Sequence, residues 1–204
     1  MSISNIIISL LSLFSIFLLS LTFFIPSDSE IYQLISYFDF ILCFVFLLDF
    51  ITQFFKAKNK WKYFYTVGWL DLLSSIPIVY EFRFIRLFRV FRVLRIIKST
   101  RLLIAFIRRN KATSLYGFIV FTAFVTLVIT TTAILYIEKD VGNIKTAEDA
   151  LWWSFITITT VGYGDFYPVT GLGKLLASLL IFCGIASFGA VISYVNKLAL
   201  SFKD

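Results

Sequence analysis

The chain has 204 residues, 59% of them hydrophobic, with a mean hydropathy of +0.90 and a net charge of +7. This is too apolar for a soluble domain with a solvated face, and most of the basic charge lies between or inside apolar runs, which excludes a nucleic-acid reading of that charge. There is no histidine, which removes histidine acid–base chemistry and most zinc sites, and Cys43 and Cys183 lie far apart as small apolar residues with no second thiol nearby.

Several apolar runs reach about 18 residues or more, the length needed to cross a hydrocarbon core of roughly 30 Å. The first, residues 6–25, carries no charge and ends at Pro26 and the polar run Ser27-Asp28-Ser29-Glu30. A signal peptide would have a basic leading region and a small-x-small cleavage site, and neither is present. The run is therefore predicted to be a spanning helix, with little ahead of it for a cytoplasmic assembly domain.

Residues 31–55 form a second predicted span, interrupted by Asp39 and Asp49. A carboxylate in hydrocarbon is costly and is expected to face protein or water. A separation close to three helical turns puts the two acids on one broad face, with Phe46 one turn before Asp49. Lys56, Lys58, Lys60 and Lys62 crowd the next loop, which the positive-inside rule makes cytoplasmic. The first loop is then external and the N-terminus internal. A third span is predicted over residues 63–80, with Asp71 toward the cytoplasmic side and Pro77 kinking or breaking the helix near its end.

Arg83, Arg86, Arg89, Arg92, Arg95 and Lys98 then recur at every third position among Phe, Ile, Leu and Val. On an α-helix such charges wind around the axis, and on a 3₁₀-helix they form one column. A surface-lying amphipathic helix would gather its charges on one face and use more lysine. A nucleic-acid-binding helix would not intersperse so much apolar bulk. A ladder of permanently charged arginines in an apolar background suits a segment moved by the membrane field, with Asp39, Asp49 and Asp71 pairing with charges in transit.

Residues 100–112 read as an interfacial cytoplasmic helix, or as an extension of the helix before it; either reading puts Arg108-Arg109-Asn110-Lys111 inside. Residues 115–137 form a further span, and the loop 138–145, short and mixed in charge, is assigned to the outside. Thr146-Ala147-Glu148-Asp149 reads as a helix start, with Thr146 as N-cap and acids in the first turn. The apolar stretch 152–158 that follows is too short to cross, which predicts a re-entrant half-helix whose C-terminal dipole end favours a cation. Trp152, Trp153 and Tyr163 are expected to form an aromatic cuff, with interfacial anchoring the alternative for the tryptophans.

The stretch Thr159-Thr160-Val161-Gly162-Tyr163-Gly164-Asp165 comes next. Gly162 and Gly164 tolerate backbone conformations that a Cβ resists, and a run alternating between conformations can turn successive carbonyls to one side. A ring of carbonyls can replace an ion's hydration shell, and one chain cannot close a ring, so a symmetric oligomer is implied. A plain glycine-rich turn between membrane helices is the alternative for the bare Gly-Tyr-Gly. Residues 171–200 form the last predicted span, with Gly184 in its middle and Gly189 a second flexible or close-packing position.

Thr160 to Asp165 resembles the signature filter of potassium channels, the type case of carbonyl-ring selectivity, and Phe166-Tyr167-Pro168-Val169-Thr170 continues the likeness. From residue 6 to about residue 200 the chain resembles the six-segment voltage-gated potassium channels, in their simpler prokaryotic form, since the Pro-x-Pro bend of the last helix is absent. The resemblance implies that Thr160, Val161, Gly162, Tyr163 and Gly164 form the filter, with potassium at the first four; that Arg83 to Lys98 are gating charges; and that Phe46 caps the gap the charges cross. It makes Trp152, Trp153 and Asp165 supports of the filter, Gly184 a gate hinge, and Tyr167 the aromatic that favours external quaternary-ammonium block.

The expected fold is an all-α membrane protein: a four-helix voltage-sensor bundle (residues 1–99), an interfacial linker helix (100–112) and a pore domain (113–204) of two helices with a re-entrant pore helix and filter. The expected function is a voltage-gated potassium-selective channel, homotetrameric and multi-pass in the cell membrane, with both termini cytoplasmic. Neither enzymatic activity nor a cofactor is expected; potassium is the permeant ion, and anionic lipid is the expected partner of the basic clusters. The alternatives are a voltage-insensitive potassium channel and a non-conducting voltage-sensor protein. The pattern leaves open whether depolarisation or hyperpolarisation opens the channel.

Overall fold

The structure is a computed structural model, and it describes residues 3–22, 24–57, 59–69, 72 and 111–201. Those residues are helical or connecting, with no strand among them. In chain order they form α1 (Ile3–Leu21), α2 (Glu30–Lys56), the short α3 (Lys60–Tyr63) running into a π-helical turn (Phe64–Gly68), α4 (Lys111–Glu138), α5 (Ala147–Ile158) and α6 (Gly171–Ser201). Three of these are long and apolar enough to cross a membrane, over Glu30–Lys56, Leu115–Glu138 and Gly171–Asn196. Asp71, Pro77, the ladder from Arg83 to Lys98 and residues 100–110 lie outside the described residues.

The chain divides into two compact units: residues 1–27 with 35–111, and residues 28–34 with 112–204. The first turn of α2 therefore groups with the second unit.

In the first unit α1 stops at Leu21, short of the predicted end at residue 25. The amides of Thr22 and Phe24 still donate to Leu18 O and Leu21 O, closing a turn. Pro26 pushes the residue before it away from helical geometry, so the last apolar residues of the run turn instead of extending the helix. Buried Ser12 and Ser15 give their hydroxyls to Ile8 O and Ser12 O at 2.7 and 2.9 Å, so polar groups cost little on this apolar helix.

α2 has two faces. Ile35, Phe38, Asp39, Leu42, Cys43, Phe46 and Asp49 are buried, following the helical repeat. Phe40, Phe44, Leu48 and Phe55 on other faces are exposed. Acids on the buried face and large apolar side chains on the exposed ones invert the soluble pattern, as a helix facing lipid requires.

In the second unit α5 packs against α6. Near the other end of α6, the Tyr116 and Tyr194 rings meet at 5.3 Å, and the Tyr116 hydroxyl lies 3.3 Å from Ser193 Oγ. These contacts tie the start of α4 to the end of α6.

Candidate functional site: the α5–α6 loop

α5 begins as its sequence predicts. Thr146 is the N-cap, its hydroxyl accepting the Asp149 amide at 3.2 Å, while Asp149 Oδ2 accepts the Thr146 amide at 3.0 Å. This reciprocal capping box satisfies amides that the helix itself leaves open. Glu30, in the first turn of α2, adds a third link: its Oε2 accepts the buried Ala147 amide at 2.8 Å.

At the other end of α5 the chain turns into the glycine-rich stretch. Thr160, Gly162 and Gly164 take left-handed φ values of 59°, 55° and 81°, and the residues between them do not. A Cβ at Gly162 or Gly164 would meet nothing within 4 Å in the chain, so these positions need glycine for conformation and not for space. Thr160, a β-branched residue, occupies the same region at a cost of roughly 1–2 kcal/mol.

The amides offset that strain. Thr160 N donates to Thr157 O at 3.0 Å, and Val161 N and Gly162 N both donate to Ile156 O, at 2.9 and 3.2 Å. In a planar trans peptide each carbonyl points opposite to the following amide. Amides aimed back at the end of α5 therefore turn the carbonyls of Thr159, Thr160 and Val161 away from it. The stretch is exposed along its length, with Val161 53% and Tyr163 70% accessible.

Around this row stands a ring of side-chain braces. Trp152 and Tyr163 stack with ring centroids 5.9 Å apart and planes 6° from parallel. Trp153 does not join them at the surface; it is buried, 3% exposed. The Trp152 indole Nε1 donates to Asp165 Oδ2 at 2.7 Å, and the Phe166 amide donates to Asp165 Oδ1 at 3.0 Å. The indole first, and the Phe166 amide after it, hold the Asp165 carboxyl below the usual carboxylate range against an opposing desolvation.

Glu138 corrects the sequence reading, which placed it in the external loop. It is the last residue of α4 and fully buried, because distant donors converge on its carboxylate. Val169 N and Thr170 N donate at 3.0 Å each, and Thr170 Oγ1 at 2.5 Å. A Cβ on Gly142 or Gly173 would strike its carboxylate oxygens, so both glycines leave it room. Asn143 was not singled out by the sequence either. Its Nδ2 donates to Asp165 O at 2.8 Å, and its Oδ1 accepts the Tyr167 amide at 3.4 Å.

Gly184 lies in the middle of α6, which runs unbroken through it. A Cβ there would strike the Ile158 carbonyl oxygen, so the glycine sits at a close approach of α6 to the end of α5. Gly189 has nothing within 4 Å.

The remaining sequence candidates lie in the first unit. Asp39, Phe46 and Asp49 share the buried face of α2. Asp49 Oδ2 accepts Gln53 Nε2 at 2.7 Å, and Gln53 Oε1 accepts the Tyr63 hydroxyl at 3.3 Å. Asp71 and the six basic residues of the ladder are outside the described residues, so their relation to these acids is not described.

Comparison with known proteins places the chain. Residues 113–200 match a family model described as "Ion channel". The human potassium voltage-gated channel subfamily A member 6 is 37% identical over 71 residues, covering 34% of this chain and 13% of that protein. A putative potassium channel protein of Rhodopseudomonas palustris is 50% identical over 40 residues, covering 20% of this chain and 10% of that protein. The chain belongs to the potassium channel family.

As a channel-family protein with membrane-spanning helices it is an integral membrane protein, and its relatives are ion channels and not enzymes. The chain aligns with only 13% and 10% of the lengths of these two relatives. A crystal structure of a voltage-gated K+ channel pore domain in a closed state in lipid membranes is 35% identical, covering 41% of this chain and 93% of that one, with a TM-score of 0.38.

Proposed function

We propose that this protein is a voltage-gated, potassium-selective channel that works as a homotetramer in the cell membrane, with both termini cytoplasmic. The observation that carries the reading is the row from Thr160 to Gly164. Its φ values alternate in sign, its first amides are committed to α5, and the carbonyls of Thr160 and Val161 are turned away from that helix. Four copies around an axis give rings of carbonyls from Thr160, Val161, Gly162 and Tyr163, with the Thr160 hydroxyl below them. Rings of this kind hold potassium by replacing its water. Gly164 supplies the left-handed turn that ends the row.

Trp152, Trp153 and Asp165 support the filter's width, and Gly184 is the position about which α6 swings. The voltage reading rests on the Arg83, Arg86, Arg89, Arg92, Arg95 and Lys98 ladder, with Asp39, Asp49 and Asp71 as countercharges and Phe46 between them. One charge crossing the field is worth about 2.3 kcal/mol per 100 mV, so about three charges in each of four subunits supply roughly 28 kcal/mol. Anionic lipid at the basic clusters and external quaternary-ammonium block near Tyr167 belong to the same reading.

The test is the variant Gly162→Ala in lipid bilayers. An alanine at a φ of 55° is strained, and selective current is expected to vanish. A reversal potential that still follows potassium in this variant rejects the filter assignment. Neutralising Arg89 or Arg92 is expected to flatten the voltage dependence of opening, and an unchanged slope rejects the ladder's role.

A further inference from the structure

The segment that leaves the filter, residues 166–170, has no backbone partner for its amides among the described bonds. Each amide is met by a side chain: Phe166 by Asp165, Tyr167 by Asn143, and Val169 and Thr170 by Glu138, while Pro168 has none to offer. Glu138 reaches in from the end of α4 and Asn143 from the α4–α5 connection. Glu138 is buried and accepts three bonds, which fixes the far end of the segment. Asn143 is the only one that grips the end next to the filter from outside it, and it does so with both halves of its amide.

The orientation of that amide is not arbitrary. Asp165 O needs a donor and Tyr167 N an acceptor, so only one flip of the carboxamide serves both. The bond to Asp165 O also engages the first carbonyl after Gly164. That carbonyl is drawn to the connecting loop, and the run of carbonyls available to an ion ends at or before Gly164.

We propose that Asn143 is a positioning residue for the filter: its carboxamide, bridging Asp165 O and Tyr167 N, holds the outer mouth in the ion-conducting arrangement. This rests on the channel reading above. When the bridge is lost, Asp165 keeps its side-chain bonds to Trp152 and to the Phe166 amide, but its carbonyl and the Tyr167 amide lose their tie to the α4–α5 connection, and the backbone between Gly164 and Tyr167 rotates more readily. The filter then leaves its conducting form more readily. Potassium binds the conducting form, so raising external potassium opposes the loss.

The experiment compares the full-length wild type with Asn143→Ala, Asn143→Asp and the control Lys139→Ala from the same exposed loop, each as purified tetramers in planar bilayers. Current is followed during sustained opening at low and high external potassium. Asn143→Asp has the shape of asparagine but lacks the donor for Asp165 O, so a role in packing alone would tolerate it. Both Asn143 variants are expected to decay about tenfold faster than wild type, with high external potassium slowing the decay. Lys139→Ala is expected to match wild type.

Amide exchange of the same proteins in lipid supplies an independent reading. Tyr167 is expected to lose protection in Asn143→Ala, which has no acceptor for its amide, while Val169 and Thr170, held by Glu138, keep theirs. Wild-type decay in Asn143→Asp, or unchanged Tyr167 exchange in Asn143→Ala, overturns the inference. If the wild type carries selective current and the variants match it, this inference fails alone. A wild type with no selective potassium current overturns the channel reading and this inference together.

Discussion

Thr160 carries a branched side chain at a φ of 59°, where glycine is the easy choice, and its neighbours Gly162 and Gly164 adopt the same hand without that cost. The strain persists because the amides around it are fully bonded to the end of α5. Asp165 is held in a similar way, by the Trp152 indole, with its carboxyl below the usual range. A depressed carboxyl contributes stability that is complete above the unfolded value of about 3.9 and is lost only as pH falls through the lower folded value. External acidification from neutral pH to about 5 should therefore leave the current intact, with loss only below about pH 4. Trp152→Phe removes the main cause and should move the onset of acid loss to higher pH. Titrating the external solution during recording checks both, and a wild-type decline centred well above pH 5 contradicts them. Glu138 gives a second prediction at this scale. Glu138→Ala strands the part-buried donors of Val169 and Thr170 at a cost of up to about 1 kcal/mol each. The proposed tetramer should dissociate at a lower temperature on heated gels, while Lys139→Ala leaves it unchanged.

Among the elements, those whose signals are local were legible in the sequence. The spacing Thr146-x-x-Asp149 announced the start of α5, and the helical repeat of Asp39, Phe46 and Asp49 placed them on one face of α2. Elements shaped by distant partners were not legible. Glu138 looked like a loop charge because its donors lie 31 and 32 residues away, and Asn143 contacts residues 22 and 24 positions on. The end of α1 was placed too late because residues up to Ile25 remain apolar, although Pro26 already turns the chain. The two α6 glycines also look alike in sequence and differ in packing. Gly184→Ala should push α6 off the Ile158 carbonyl and reduce tetramer yield and current, whereas Gly189→Ala meets nothing in its own chain and should be mild. Equal effects of the two substitutions on yield and current would contradict this packing.

At the scale of the whole molecule, the filter and α6 leave a long apolar surface open in a single chain. Leu172, Phe182, Ile185 and Ile192 are each more than half exposed, at 64%, 72%, 57% and 59%. Surfaces of this kind are covered by lipid or by other copies of the chain. Cross-linking or mass measurement in detergent should give four copies, and a stable monomer would remove the basis for a closed ring of carbonyls.

The central claim is that this ring selects potassium under the control of the membrane field. The most direct measurement is current through the purified protein in a planar bilayer, with potassium on one side and sodium on the other, while voltage is stepped in both directions. The account predicts a reversal potential near the potassium value and steeply voltage-dependent opening. A reversal potential that does not follow potassium, from protein shown to be tetrameric, would contradict it.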